Sequence, residues 1–562
     1  REELILGKNY IDSKYYFHNG KMEKRRYVNG VLQGETILKK DTTKLKYYLS
    51  IDKERINIDE YQENILLDPN IGHWDLKNED IEELKKILGK NVYKRKPQKD
   101  VNQGGIVGID FGTKSTVVVY QNDNGNIIPM RIGGRPLNKE VDAKDYENPT
   151  VIEFKAIDKF LKDYNEKIGR PYTKWEDVTV SHNALSNLFE SNSENYNSIM
   201  TEIKQWTVNK NDETILVDKK GRRIKLPPYL EKEEDYLDPV ELYAYYIGSY
   251  INTMRNGIFL KYILSFPVTY EKVIREKILE SFRKGIQKSL PIEIQEDKEL
   301  MKEFKVKHGA NEPAAFAVCA LTELKIEPRD IKNKVYYGVF DFGGGTTDFD
   351  FGILKKSDED RYEHEIESLS SGGHQYLGGE NILNNLAYSV FMSESNVEKL
   401  RKERIQISLP MGEPEPLRNE DLVNDTKEAR MNLVSLSDIL RPIWEKNEEL
   451  DGYNADSGQI TVNLFDMDTE SKVINLDIEV EKLEEMIKKM IDHGVDSFFS
   501  HLNTAMIKYD DKIEKVNIFL AGNSSKSGYL TEILNNKLEV FLSKKPELKN
   551  NFVIFPPLGT DE

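Results

Sequence analysis

Residues 1–40 alternate apolar or aromatic side chains with polar ones, and Asn-Gly pairs interrupt the alternation at 19–20 and 29–30. A period of two predicts half-buried strands, and Asn-Gly between two such runs is a strong signal for a β-hairpin. The segment NEDIEELKKILGK at 78–90 has helical spacing instead. We therefore predict a small, mainly β domain over residues 1–100 that ends in a helix and a basic linker.

After residue 100 the pattern changes to amphipathic stretches separated by short apolar runs. Helical spacing recurs at 238–259, 270–286 and 483–506, and the apolar runs between them have the length of strands. Strands that alternate with helices are typical of an α/β architecture. We predict this class for the rest of the chain, in two parts that cover residues 101–334 and 335–562.

Two distant stretches repeat one local pattern. IVGIDFGTKSTVVVY at 106–120 and VYYGVFDFGGGTTDFDFGIL at 335–354 each contain an apolar strand, an Asp, Phe-Gly, a glycine and threonine turn, and a second strand. Asp110 and Asp341 occupy the same place in the two copies. A duplicated hairpin of this kind indicates a site that holds a nucleoside triphosphate and its metal ion from two sides.

The turns of these hairpins have the chemistry of a phosphate site. Gly112-Thr113-Lys114-Ser115 is not a P-loop, because Thr113 separates the glycine from the lysine and a strand follows instead of a helix. Glycines allow backbone N–H groups to approach anionic oxygens closely, and a threonine hydroxyl adds a donor. Three consecutive glycines and a threonine, at 343–346, make the second turn the stronger signal.

Several acidic and glycine-rich positions complete the candidate site. Asp110 and Asp341 suit Mg²⁺, which accepts few protein ligands, although either alone could cap a turn. Glu312 lies at the start of a helix of small residues, where it could orient a water molecule or a metal-bound water, or simply be an acidic residue at the helix N-terminus. The pair at 378–379 opens a further helix, and 522–524 (Gly-Asn-Ser) follow an apolar strand. These last two turns suit close backbone approach to a sugar or ring, or are tight turns without a ligand.

Composition narrows the classes of partner. The formal net charge of −17 argues against a nucleic-acid-binding protein, because phosphate backbones select basic surfaces. No apolar run approaches the ~20 residues that a membrane span needs, so we expect no membrane partner. Cys319 is the single cysteine, which excludes an internal disulfide and a thiolate zinc site. We expect Cys319 to be buried and the protein to be cytoplasmic.

Together these motifs resemble the nucleotide-binding domain of the seventy-kilodalton heat-shock chaperones, within the actin and sugar-kinase superfold. The resemblance covers roughly residues 105–562, with the motifs in the family's order. It implies a two-lobed, actin-like ATPase fold of duplicated ribonuclease H-like domains, with lobes at 101–334 and 335–562 and the β domain as an addition. The N-terminal hairpins resemble repeats of the membrane-occupation-and-recognition type, with a plain small β domain as the alternative.

The resemblance also implies roles for individual residues. Asp110 and Asp341 would contact Mg²⁺ through water and position the attacking water. Lys204, in SIMTEIKQWTV, would contact the γ-phosphate, and Glu312 would be the catalytic glutamate. Phosphates would lie on Gly112, Thr113, Lys114, Gly343, Gly344, Gly345 and Thr346, and adenosine on Gly378, Gly379, Arg430, Gly522, Asn523 and Ser524, with Asp561 closing the pocket.

The implied function is that of a chaperone-like molecular switch that binds ATP or ADP with Mg²⁺, allows K⁺ as a second ion, and acts on a protein client or partner. Lys114 and Ser115 depart from the family's usual threonine and aromatic residue, and the adenosine motif lacks the usual arginine. Lys427 stands where a glutamate is common. An actin-like filament-forming ATPase is the main alternative. A small-molecule kinase and a scaffold without hydrolysis are the others.

Overall fold

The described part of the chain combines several sheets with helices, which confirms the predicted α/β class. No helix in this part has the length and apolar character that crossing a membrane requires. The structure is a computed structural model, and it describes residues 2–6, 9–18, 21–40, 42–122, 125–133, 142–190, 198–208, 214–232, 236–330, 332–358, 363–424, 426–446, 450–508 and 515–557.

The N-terminal strands form one antiparallel sheet in sequential order. They are β1 (Glu2–Leu6), β2 (Asn9–His18), β3 (Lys21–Val28) and β4 (Val31–Lys40). In the turn between β3 and β4, Asn29 and Gly30 have φ values of 50° and 79°. Positive φ at both central residues is what a type I′ hairpin turn requires, so this predicted hairpin is confirmed. The other Asn-Gly pair, at 19–20, lies outside the described residues.

Residues 43–88 form helices, so the mainly β character expected for residues 1–100 holds only up to residue 40. The helices are α1 (Thr43–Ile56), α2 (Asn64–Leu67) and α3 (Asn78–Leu88). Only α3 follows the prediction. These helices enclose a small apolar core that includes Tyr48 and Leu84. The helix α1 also contributes Ile56 to the core of the next part of the chain.

A buried ion network fixes α1 to the following α/β unit. Asp52 accepts hydrogen bonds from Arg170 Nη2 at 2.7 and 3.0 Å and from the Tyr61 hydroxyl at 2.6 Å. Arg55 pairs with Asp52 and donates from Nε to the Pro171 carbonyl at 3.0 Å. Asp52 and Arg55 are each 1% exposed. The boundary expected near residue 100 is therefore crossed by buried charges.

Replacing Asp52 by alanine should destabilise the protein by about 3 kcal/mol, because the two buried guanidinium groups of Arg55 and Arg170 would share Asp75 in place of two carboxylates. Urea unfolding measures this loss. The matched control is Lys53→Ala on the same helix, since Lys53 is 51% exposed and its ion pair with Glu60 lies at the surface. That control should change the free energy of unfolding by about 1 kcal/mol or less. Equal effects of the two substitutions would contradict the role of the network.

The next unit, residues 101–330, contains a sheet with helices packed on it. Its strands are β5 (Ile106–Phe111), β6 (Ser115–Gln121), β7 (Ile127–Pro129), β8 (Glu147–Pro149), β9 (Ile152–Phe154), β10 (Val178–Val180), β11 (Ile199–Met200), β12 (Thr214–Val217), β13 (Arg223–Leu226), β14 (Lys261–Phe266) and β15 (Lys305–Asn311). Its helices are α4 (Ile157–Glu166), α5 (Ser181–Glu190), α6 (Ile203–Trp206), α7 (Pro239–Ile251), α8 (Lys272–Ser289), α9 (Ile292–Gln295), α10 (Lys298–Glu303) and α11 (Glu312–Glu323). We call this part of the chain, residues 101–330, the first unit.

The second unit, residues 335–557, has its own sheet and its own apolar core. Its strands are β16 (Val335–Phe342), β17 (Thr347–Lys356), β18 (His364–His374), β19 (Tyr453–Asn454), β20 (Gln459–Phe465), β21 (Ser471–Asp477), β22 (Val516–Ala521) and β23 (Phe552–Phe555). Its helices are α12 (Gly379–Phe391), α13 (Glu394–Lys402), α14 (Lys427–Glu445), α15 (Val480–Lys508) and α16 (Gly528–Ser543).

The main sheets of the two units repeat one strand order. The orders are β15-β14-β5-β6-β7 and β23-β22-β16-β17-β18. In each sheet the first hairpin strand, β5 or β16, pairs antiparallel with the next strand of its hairpin and parallel with a later strand. That later strand pairs parallel with a further one in both units. Each predicted hairpin therefore lies at the centre of its own sheet.

Helix α11 connects the two units. Its buried residues Ala317, Ala320 and Leu321 pack with apolar residues of the second sheet, although the helix precedes residue 335. Cys319 is exposed, so the expectation that it is buried is wrong. The reason is helical spacing, because positions 317, 320 and 321 share one face and residue 319 lies on another.

Candidate functional site

A cavity of about 940 Å³ lies between the two units and is lined by both hairpin turns. The structure brings most of the predicted site residues to this cavity. They are Asp110, Gly112, Thr113, Lys114, Lys204, Glu312, Asp341, Gly343, Gly344, Gly345, Thr346, Gly379, Gly522, Asn523 and Ser524.

The two turns face each other closely. A β-carbon at Gly345 would lie 2.9 Å from the Thr113 hydroxyl oxygen and 3.1 Å from its methyl carbon. A β-carbon at Gly344 would lie 4.0 Å from that of Lys114. Because glycine carries no side chain, the two backbones can approach from opposite sides of the cleft. An anion in the cleft would meet donors from both turns.

The first residues of α12 form hydrogen bonds to the second turn, residues 343–346. The Gly379 and Glu380 amides donate to the carbonyls of Gly343 and Gly344, at 3.1 and 2.9 Å. A β-carbon at Gly378 would lie 2.3 Å from the Gly344 carbonyl oxygen. Gly378 therefore supports the turn and does not itself line the cavity, whereas the neighbouring Gly379 does.

The turn after β22 supports the same loop from another side. Gly522 has a φ of 79°, and a β-carbon there would lie 2.4 Å from the Phe342 carbonyl oxygen. Ser524 donates from its hydroxyl to the Gly343 carbonyl at 2.9 Å. A glycine is required at 522 both by its backbone conformation and by this close approach. The predicted adenosine turn at 522–524 and the second phosphate turn at 343–346 are thus in direct contact and line the cavity together.

A buried lysine and a partly exposed glutamate form an ion pair at the cleft. Lys204 lies on α6, and its Nζ is 3.2 Å from Oε1 of Glu312, the first residue of α11. Burial alone lowers the pKa of Lys204, but the negative charges around it, Glu312 foremost, hold that pKa above its ordinary value. Lys204 is therefore a fixed positive charge.

Four carboxyl groups surround this positive charge. Burial raises the pKa of Asp341 from its ordinary 3.8 to about 7, and repulsion from Asp348 and Asp110 adds to the effect. Burial likewise raises the pKa of Glu312 well above its ordinary value, against the attraction of Lys204. Without a bound metal ion Asp341 is therefore partly protonated near neutral pH. A bound metal ion would favour the ionised forms.

The carboxyl groups suit Mg²⁺ bound together with a phosphate. Within the described ranges, no group of three or more His, Cys, Asp or Glu side chains is arranged to hold a metal ion. Mg²⁺ keeps several water ligands and is often held by one or two carboxylates plus substrate phosphates. Asp110 and Asp341 border the cavity, and burial and the neighbouring carboxylates raise the pKa of Asp341 to about 7 despite the attraction of Lys204. The donor set therefore fits a nucleotide-bound Mg²⁺ ion.

Arg430 is not brought to the cavity. It lies in the first turns of α14, whereas Arg441, Trp444 and Glu445 at the end of that helix line the cavity. The 11 residues between Arg430 and Arg441 correspond to about 16 Å along a helix. Arg441, and not Arg430, is therefore the arginine of α14 that lines the cleft, and Lys526 lines the same cavity from the turn after β22. Asp561 lies outside the described residues.

Comparison with known proteins adds no assignment. No protein-family model matches the chain, and a search of the curated proteins returns no match. The chemistry of the cleft is therefore the basis for assigning a function.

Proposed function

We propose that this chain is an ATPase with an actin-like fold, related in design to the nucleotide-binding domains of heat-shock chaperones. One observation carries the proposal: two hairpin turns, each preceded by an aspartate, face each other across one cavity that also contains the Lys204–Glu312 pair. The repeated strand order of the two sheets supports the duplicated fold.

In this proposal the turns bind the phosphates. Backbone N–H groups at Thr113, Gly344 and Gly345 would donate to phosphate oxygens, with the threonine hydroxyls as further donors. The N–H groups of Gly112 and Gly343 instead close the turns, by donating to the carbonyls of Asp110 and Thr346 at 3.1 and 3.0 Å. Asp110 and Asp341 would hold Mg²⁺, in part through water, and the ion would neutralise phosphate charge. The base would lie towards Arg441 and Trp444, beside the Gly522–Ser524 turn.

Hydrolysis would depend on placement and charge. The carboxylates of Glu312 and Asp341 can accept a hydrogen bond from a water molecule and orient it towards the γ-phosphate. The pKa of Asp341, raised to about 7, suits proton acceptance near neutral pH, and burial raises the pKa of Glu312 in the same direction. Lys204 would neutralise negative charge that develops on the transferred group. These contributions add up to a slow ATPase without a covalent intermediate on the protein.

The same geometry supports a switch. Helix α11 begins at Glu312 in the cleft and packs on the second sheet, so a change at the γ-phosphate can be passed between the units. We propose that a protein client or partner in the cytoplasm responds to this change.

The test is to measure MgATP binding by calorimetry and phosphate release under single-turnover conditions. We expect one ATP per chain and hydrolysis that the double variant Asp110→Asn, Asp341→Asn abolishes. Absence of nucleotide binding by the unaltered protein would overturn the proposal. Nucleotide-dependent sedimentation in the same samples would instead favour a filament-forming ATPase.

A further inference from the structure

Three charged side chains meet above the two hairpin turns. Lys114, in the first turn, places its Nζ 2.5 Å from Oε1 of Glu380, in the first turn of α12. Arg441 on α14 donates to both carboxylate oxygens of Glu380, each at 3.1 Å. Lys114 belongs to the first unit and the other two residues to the second, so the ion pair Lys114–Glu380 joins the units across the cleft.

The pair lies directly over the proposed phosphate path. A β-carbon at Gly344 would be 3.5 Å from Cγ of Glu380 and 4.0 Å from Cβ of Lys114. All three charged residues line the same cavity as the phosphate turns. A nucleotide that enters the cleft therefore brings its negative charge within reach of the lysine ammonium group.

The two partners of the pair differ in how firmly they are held. Glu380 is fixed by the two hydrogen bonds from Arg441, and only a third of its side chain is exposed. Lys114 is 65% exposed on a long, flexible stem. An exposed pair of this kind is weak, whereas a phosphate carries more negative charge and forms strong charge-assisted hydrogen bonds. The lysine is therefore the partner that can move.

We propose that Lys114 exchanges partners. It pairs with Glu380 when the cleft is free of nucleotide, and with a phosphate oxygen when nucleotide is bound. The inference rests on the proposed nucleotide site, and it adds that an ion pair of the protein regulates how tightly this site binds nucleotide. The ion pair Lys114–Glu380 spans the nucleotide-free cleft, and it breaks when a nucleotide binds. The Glu380 carboxylate and the phosphate therefore compete for the Lys114 ammonium group.

Carbodiimide cross-linking joins an amine and a carboxylate that are in contact. It therefore tests whether the Lys114–Glu380 pair forms in the nucleotide-free protein and breaks when nucleotide binds. We expect a Lys114–Glu380 cross-link in the nucleotide-free protein, and its loss when MgATP or MgADP is added. The matched control is Lys44–Asp80, a pair 2.7 Å apart in the N-terminal helices, whose cross-link should not respond to nucleotide. A Lys114–Glu380 cross-link that persists at saturating MgATP would overturn the exchange.

Binding measurements test the competition. Glu380→Gln should tighten ADP and ATP binding about two- to fivefold, because Lys114 no longer has to leave a carboxylate. Lys114→Met should weaken binding about ten- to a hundredfold. In the double variant the effect of Glu380→Gln should disappear. Asp438→Asn is the control, since Asp438 pairs with Arg441 at 3.0 Å but not with Lys114, and it should leave the affinity unchanged.

The outcomes separate this inference from the proposed function. If Glu380→Gln weakens binding as much as Lys114→Met, Glu380 serves the nucleotide directly and the exchange is wrong, while the nucleotide site stands. If the unaltered protein binds neither ATP nor ADP, the proposed function and the exchange both fail.

Discussion

Replacing Lys204 by alanine should leave MgATP bound but reduce the rate of hydrolysis by about a hundred- to a thousandfold. The side chain is buried beside Glu312, and its ammonium group is the positive charge among four carboxyl groups. Its removal takes away the charge that would stabilise the transition state, whereas the backbone donors of the two turns remain. Single-turnover phosphate release measures the rate, and calorimetry measures the affinity.

The matched control for this variant is Lys232→Ala. The Lys232 side chain is 8% exposed and pairs with Asp238 at 3.3 Å, but it does not line the cleft. Its loss removes a similarly buried ion pair and should leave the rate per bound nucleotide near that of the unaltered protein. Equal hydrolysis by the Lys204→Ala variant and the unaltered protein would refute the role assigned to Lys204.

Replacing Asp341 by asparagine should abolish metal-dependent hydrolysis and at the same time stabilise the nucleotide-free protein. The pKa of Asp341 is about 7 in the folded state and 3.8 ordinarily, so folding favours the protonated form. The contribution of this carboxyl group to stability is full below pH ~4, and it is lost as the pH rises through about 7. Three pKa units correspond to at most about 4 kcal/mol above neutral pH. Asparagine does not ionise and so avoids that loss.

Thermal unfolding without nucleotide at pH 5 and pH 8 measures this effect. We expect the variant to gain most over the unaltered protein at pH 8 and less than half as much at pH 5, which is about one unit above the ordinary pKa of 3.8. The control is Asp468→Asn, because Asp468 is 61% exposed and lies far from the cleft on the loop after β20. A variant that is less stable than the unaltered protein at pH 8 would show that Asp341 is already balanced by a charge in the folded state.

The hairpins and their aspartates could be predicted because their signals are local. A strand, an aspartate and a run of glycines and threonines within a dozen residues determine the turn, and the structure brings both turns to one cavity. Asp348 was missed, although the register pairs it directly with Asp341 across the hairpin. Counting outwards from the four-residue turn at 343–346 would have found it.

The end of the cleft formed by Arg441 and Trp444 could not be predicted, because its residues depend on where α14 ends. Proline usually interrupts a helix, so the sequence does not indicate that α14 continues past Pro442 to Glu445. Arg441 lines the cavity from this last part of the helix. The helices at 43–67 were missed for another reason. Their stability comes partly from charges and apolar groups that they bury against the first unit, which no local pattern reveals.

The buried contact between Asp52 and Arg170 determines where the chain can be cut. A recombinant fragment that starts at residue 101, the boundary suggested by sequence, would lose Asp52, the buried partner of Arg170, and Ile56, which packs in the core of the first unit. A fragment that starts at residue 42 keeps that carboxylate and removes only the four-stranded sheet. The folded body that contains the cleft therefore extends some sixty residues further towards the N-terminus, and the four-stranded sheet is the part that can be removed from it.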